Sequence, residues 1–135
     1  VRKAVDVIQG GGLVVYPTDS CYAFGFRMGD KGPIKEIKRI RQTAKTHNFT
    51  LVCRDLSEIA EYARVENWCY RALKAHTPGP YTFILTATRS VPRRLKNPKR
   101  KTIGRRVPDH PVAQALLGVL NEPLMSSTLI LPGQE

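Results

Sequence analysis

Apolar residues in this chain switch repeatedly between two spacings, and that alternation limits the fold more than any other feature. Ala4, Val5 and Ile8 share one side of a helix, which Gly10-Gly11-Gly12 ends before the extended run Leu13–Tyr16. Strand-like runs recur at Phe49–Cys53, Tyr81–Ala87, Ile103–Val107 and Leu124–Thr128. Helical stretches separate most of them. Pro33 opens one with an apolar stripe of Ile34, Ile37 and Ile40. Asp55, with Glu58 three residues on, caps another. A third runs from about Glu66 to Ala75, where Thr77-Pro78-Gly79-Pro80 breaks it, and a fourth covers Val112–Leu120. This order predicts an α/β domain: an open, twisted mixed sheet with flanking helices. At 135 residues there is one domain, spanning 1–135. The chain begins without Met and ends on Pro132-Gly133-Gln134-Glu135, and so reads as part of a longer protein lacking both ends.

The stretch LVVYPTDSCYAFGFR, Leu13 to Arg27, places small polar residues between two apolar runs. Pro17 cannot donate to a sheet ladder, so the strand is expected to end there. The two-residue Asn-Gly or Asp-Gly signal of a tight hairpin is missing. Thr18, Asp19 and Ser20 therefore form either a capped turn or a site at a strand end, where open α/β sheets bind ligands.

Charge narrows the partners. Lys and Arg number 22 against 11 acids, a formal net charge of +11, which favours polyanions: RNA, DNA, nucleotides or an anionic membrane surface. No apolar stretch approaches a transmembrane span and no signal-peptide pattern opens the chain, so the expected location is cytoplasmic, away from membrane. Cys21, Cys53 and Cys69 are far apart, with no C-x-x-C, and His47, His76 and His110 show no ligand spacing. No structural metal is expected. Cys53 and Cys69 read as buried small hydrophobes, and Cys21 as more exposed.

Three groups could carry chemistry: the Thr18–Tyr22 turn, Arg39 and Arg41 on the second helix, and Arg105/Arg106 at a strand end. Together they would form a concave site of hydroxyls and guanidinium groups suited to carboxylate or phosphate. Arg39 and Arg41 also fit a solvated helix end. Arg41 lies seven positions after Ile34, on the apolar stripe, so its charge needs an anionic partner: a ligand, Asp19 or Asp109. The run RRLKNPKRK puts Arg93, Arg94, Lys96, Lys99, Arg100 and Lys101 in a Pro- and Asn-containing loop. It reads as a solvated loop or, given the whole-chain charge, as an RNA-binding footprint directed at the backbone.

Four stretches, YPTDSCYAFG, TPGPYTFIL, TIGRRVPDHP and EPLMSSTLILPG, occur in an order that resembles the YrdC/YciO-like family, the threonylcarbamoyl-AMP synthases and their relatives, with details closest to the YciO branch. The resemblance implies a YrdC/RibB-like open α/β sheet around a large basic central cavity, and affinity for double-stranded RNA or tRNA. Active members join L-threonine, bicarbonate and ATP, with Mg²⁺, into threonylcarbamoyl-AMP for tRNA modification. By resemblance, Thr18, Ser20 and Tyr22 would hold the amino acid, Arg39, Arg41 and Arg106 the carbonate and phosphates, and Ser127 and Thr128 the nucleotide. The family's Lys-x-Arg falls here on Arg39-Ile40-Arg41, and its Ser-x-Asn on Thr128-Leu129-Ile130. The Ile130 side chain neither donates nor accepts a hydrogen bond, so the expectation is ligand and RNA binding with weak or absent synthase chemistry, and an active threonylcarbamoyl-AMP synthase is the alternative.

Overall fold

The computed structural model describes residues 1–19, 21–41, 49–88, 91 and 102–128. They contain five helices and six strands: α1 (Arg2–Gln9), β1 (Val14–Pro17), β2 (Tyr22–Arg27), α2 (Gly32–Arg41), β3 (Thr50–Val52), α3 (Leu56–Tyr62), α4 (Asn67–His76), β4 (Phe83–Thr86), β5 (Thr102–Arg106), α5 (Pro111–Leu120) and β6 (Leu124–Thr128). The strands form one open sheet in the order β1-β2-β6-β3-β5-β4. β3 and β5 run parallel and every other neighbouring pair runs antiparallel, which makes the predicted mixed sheet.

Period-two alternation sends neighbouring residues to two cores, one on each face of the sheet. Phe24, Phe26, Leu51, Ile103 and Met125 pack with Ile37 of α2, Ile59 of α3 and Leu73 of α4. Ala23, Val52 and Leu124 face the other way, toward Val5 and Ile8 of α1 and Leu116, Leu117 and Leu120 of α5.

Local signals set the ends of the elements. Gly11 has φ of +89°, a left-handed conformation that lets the chain leave α1 and enter β1. The Asp55 side chain accepts from the Glu58 N–H at 3.0 Å and caps α3. Glu58 answers one residue earlier than the standard box, taking the Arg54 N–H at 2.8 Å. His110 caps α5 through Nδ1, which accepts from the Val112 N–H at 3.1 Å. Asn121 ends that helix in the left-handed region at φ 58°.

The polar turn is a hairpin after all. Pro17 closes β1 opposite Tyr22, and residues 18–21 connect the two strands. A four-residue connection does not need the Asn-Gly signal. Pro17 is tolerated because β1 is an edge strand.

Candidate functional site

Beside the hairpin loop, the sheet face that carries α1 and α5 opens into a cleft of about 100 Å³. Tyr16 of β1, Thr18 and Cys21 of the loop, and Ala23 of β2 form one wall. Thr50, Val52, Thr82 and Arg106 form the other, with Ser126 and Ser127 of β6 between them and Pro108 at the end. Hydroxyl groups dominate this lining, and Arg106 supplies its positive charge.

The loop is held by its own hydroxyl. Thr18 Oγ1 donates to the Cys21 carbonyl at 2.7 Å and accepts from the Cys21 N–H at 3.1 Å. Asp19 then reaches across to Arg106 and forms an ion pair with its Nη2. The two side chains are only 13% and 11% exposed, so water screens the pair weakly. Asp19 Oδ2 also accepts from the Asp109 N–H at 3.1 Å, and Arg106 Nε lies 3.4 Å from the Gly79 carbonyl. Burial lowers the Arg106 guanidinium from its ordinary value. Burial likewise pushes the Tyr16 phenol up to about 12, against the opposing pull of its Ser126 hydrogen bond and of Arg106. One guanidinium, one carboxylate and a ring of hydroxyls thus form a frame of no net charge.

Thr18, Arg106 and Ser127 line this one cleft. Tyr22 opens β2 with 62% of its surface exposed and does not line the cleft. Arg39 is an exposed residue of α2, paired with Glu36 one turn back on the same helix. That is the solvated helix end, away from the cleft. Arg105 does not join Arg106: alternation turns it into the core, where it is fully buried and donates to the Tyr62 carbonyl. Arg41 and Thr128 lie at the ends of α2 and β6, with their side chains outside the described residues. Ser20, Ile130 and the basic run Arg93, Arg94, Lys96, Lys99, Arg100 and Lys101 also lie outside the described residues. Asp19, one of the anions that Arg41 could have taken, pairs with Arg106. Tyr16, Thr50, Thr82 and Ser126 were missed by sequence reasoning. The available signal was alternation: Tyr16 stands two residues before Thr18 and Ser126 two after Leu124, on the same sheet face.

At about 100 Å³ the cleft falls below the roughly 300–1,000 Å³ of a site that encloses a drug-sized molecule. Its described residues suit a few-atom oxyanion rather than a whole ATP. Among the described residues no group of three or more His, Cys, Asp or Glu side chains is placed to hold a metal ion. No helix among them is long and apolar enough to cross a membrane.

The family profile Sua5_yciO_yrdC, described as telomere recombination, matches residues 6–135. YciO of Escherichia coli K12 is 55% identical over 135 residues, all of this chain and 66% of its own length. The chain thus spans just under two thirds of that relative. The crystal structure of E. coli YciO superposes with a TM-score of 0.91 over 98% of this chain and 65% of that one, at 56% identity. A threonylcarbamoyl-AMP synthase of Chromobacterium violaceum is 32% identical, covering 99% of this chain and 69% of its own. P. abyssi Sua5 complexed with L-threonine shares the fold at a TM-score of 0.83 and 24% identity, over 93% of this chain and 37% of that one.

Proposed function

Because this chain belongs to the Sua5/YciO/YrdC family, we propose that it is a cytoplasmic YciO-type protein that binds a small oxyanion-bearing ligand at Arg106 and RNA on its basic surface. The ligand class is a carboxylate, a carbonate or the phosphate of an acyl-adenylate. The observation that carries this reading is the Asp19–Arg106 pair within a hydroxyl-lined cleft. A guanidinium held 11% exposed by a displaceable carboxylate is pre-oriented for another oxyanion of the same geometry. The net charge of +11 supports the RNA part.

A test that separates ligand binding from folding uses the double variant Asp19→Asn/Arg106→Gln, which removes both charges and strands neither. Binding of bicarbonate and of inorganic phosphate, measured by calorimetry, should fall at least tenfold while the melting temperature moves little. Unchanged binding would assign Asp19–Arg106 to structure alone.

The synthase reaction is the second reading, favoured by the 32% identity to a threonylcarbamoyl-AMP synthase. Ile130, in place of the family's asparagine, weighs against it. Mixing the full-length protein with ATP, L-threonine, bicarbonate and Mg²⁺ should yield binding without release of pyrophosphate. Turnover at an ordinary enzymatic rate would replace the binding-protein reading with the synthase one.

A further inference from the structure

Tyr16 belongs to an edge strand, yet its hydroxyl ends two strands away. The side chain crosses β2 above Gly25, where an added Cβ would stand 2.9 Å from Tyr16 Cε1 and 2.7 Å from Leu124 Cδ2. Only the missing side chain leaves this passage open. Gly25 is the register partner of Ser126 on β6, and the Tyr16 hydroxyl meets Ser126 Oγ there at 2.9 Å.

Hydrogen-bond direction along this line follows from counting protons. Ser126 Oγ also lies 2.8 Å from the Phe24 carbonyl, which can only accept. The one hydroxyl proton of Ser126 is spent there, so Tyr16 must donate to Ser126. Both protons are consumed inside the protein. What Tyr16 Oη and Ser126 Oγ present to the cleft they line is lone pairs. The two residues are 4% and 5% exposed, so neither hydroxyl is free to reorient in water. Tyr16 also stays neutral at physiological pH, because burial pushes its phenol up to about 12. At the rim, Thr18 has committed its own proton to Cys21.

We infer that the Tyr16–Ser126 pair is a specificity-determining floor that accepts hydrogen bonds, so that the cleft selects a ligand bringing its own proton over a fully deprotonated oxyanion of the same shape. The favoured class is a singly protonated oxyanion, or a carbamate or amide with an N–H directed at Tyr16. A deprotonated oxygen in that place would face lone pairs, with desolvation uncompensated. Arg106 strengthens the choice, because one guanidinium, once Asp19 is displaced, offsets a single negative charge and not a second. This inference rests on the oxyanion reading of the cleft proposed for its function.

Inorganic phosphate and sulfate separate the alternatives, being alike in shape while only phosphate carries a proton near neutral pH. Calorimetric titration of the protein at matched ionic strength should show phosphate preferred about tenfold or more, the scale of one buried hydrogen bond to a charged group. Tyr16→Phe should shrink the preference severalfold. Ser126→Ala should reverse it, since the Tyr16 proton, losing its acceptor, turns into the cleft and becomes a donor for sulfate. A merely structural Tyr16 would produce no reversal. Equal affinities in the wild type, or a ratio unmoved in both variants, would overturn the inference and leave the oxyanion site standing. Binding of neither anion to the wild type would overturn both.

Discussion

Arg105 and Arg106 are adjacent in the chain and meet opposite circumstances. Arg106 has a carboxylate, whereas Arg105 is fully buried among apolar residues, with Nε and Nη1 lacking hydrogen-bond partners among the described residues. Burial lowers the Arg105 guanidinium to about 10. A buried cation so poorly compensated destabilises the fold. Arg105→Met should therefore stabilise the protein, by about 1–3 kcal/mol in urea denaturation at pH 7. The Tyr62 carbonyl would keep the Thr88 N–H at 3.1 Å. The pH dependence has a definite sign. A base whose folded value is depressed binds fewer protons folded than unfolded, so wild-type stability should rise, relative to the variant, as pH increases beyond about 10. A variant less stable than the wild type at neutral pH would mean that the guanidinium does have a compensating anion. The sequence showed both arginines at a strand end, but period two cannot say which of two neighbours faces the site.

At the scale of elements, β2 carries the geometry of the cleft. Its Gly25 has no Cβ to block the Tyr16 ring, so Gly25→Ala should cost about 1–3 kcal/mol by overpacking against Leu124 and Tyr16. The same substitution should weaken phosphate binding, because a displaced ring carries the Tyr16 hydroxyl away from Ser126. Helix α3 was legible from its cap. Asp55→Ala should cost about 1 kcal/mol, and Glu58→Gln less, because the amide oxygen can still accept from the Arg54 N–H. Equal losses would show that the Glu58 charge, whose carboxyl burial raises above its ordinary value, contributes more than its hydrogen bond. The hairpin was harder to read than the helix. A four-residue connection has no required dipeptide, so Pro17 signalled only the end of the strand and not its pairing with Tyr22.

For the whole molecule the governing quantity is the charge of +11. Binding of structured RNA driven by cations on its phosphates should weaken steeply with salt and discriminate little between sequences. Replacing Arg93, Arg94, Lys99 and Lys101 together by Ala should lower the slope of log affinity against log salt by about 0.7–0.9 for each phosphate no longer neutralised. Filter binding across a salt series would measure it. An unchanged slope would remove these four residues from the proposed RNA interface.

The sequence alone determined the α/β class and, β2 apart, the elements and their approximate bounds, because hydrophobic periodicity, caps and breakers act over a few residues. Leu124–Thr128 emerged as a strand with the bounds expected of it. It also determined that Thr18 and Arg106 belong to motifs at strand ends. Only the tertiary structure decided that Asp19 reaches Arg106 across 87 positions and that Tyr16 reaches Ser126 across 110. It likewise left Arg39 and Tyr22 in solvent. Such pairings depend on sheet order and register, which arise from many weak interactions between distant segments, and no local pattern of residue types encodes them.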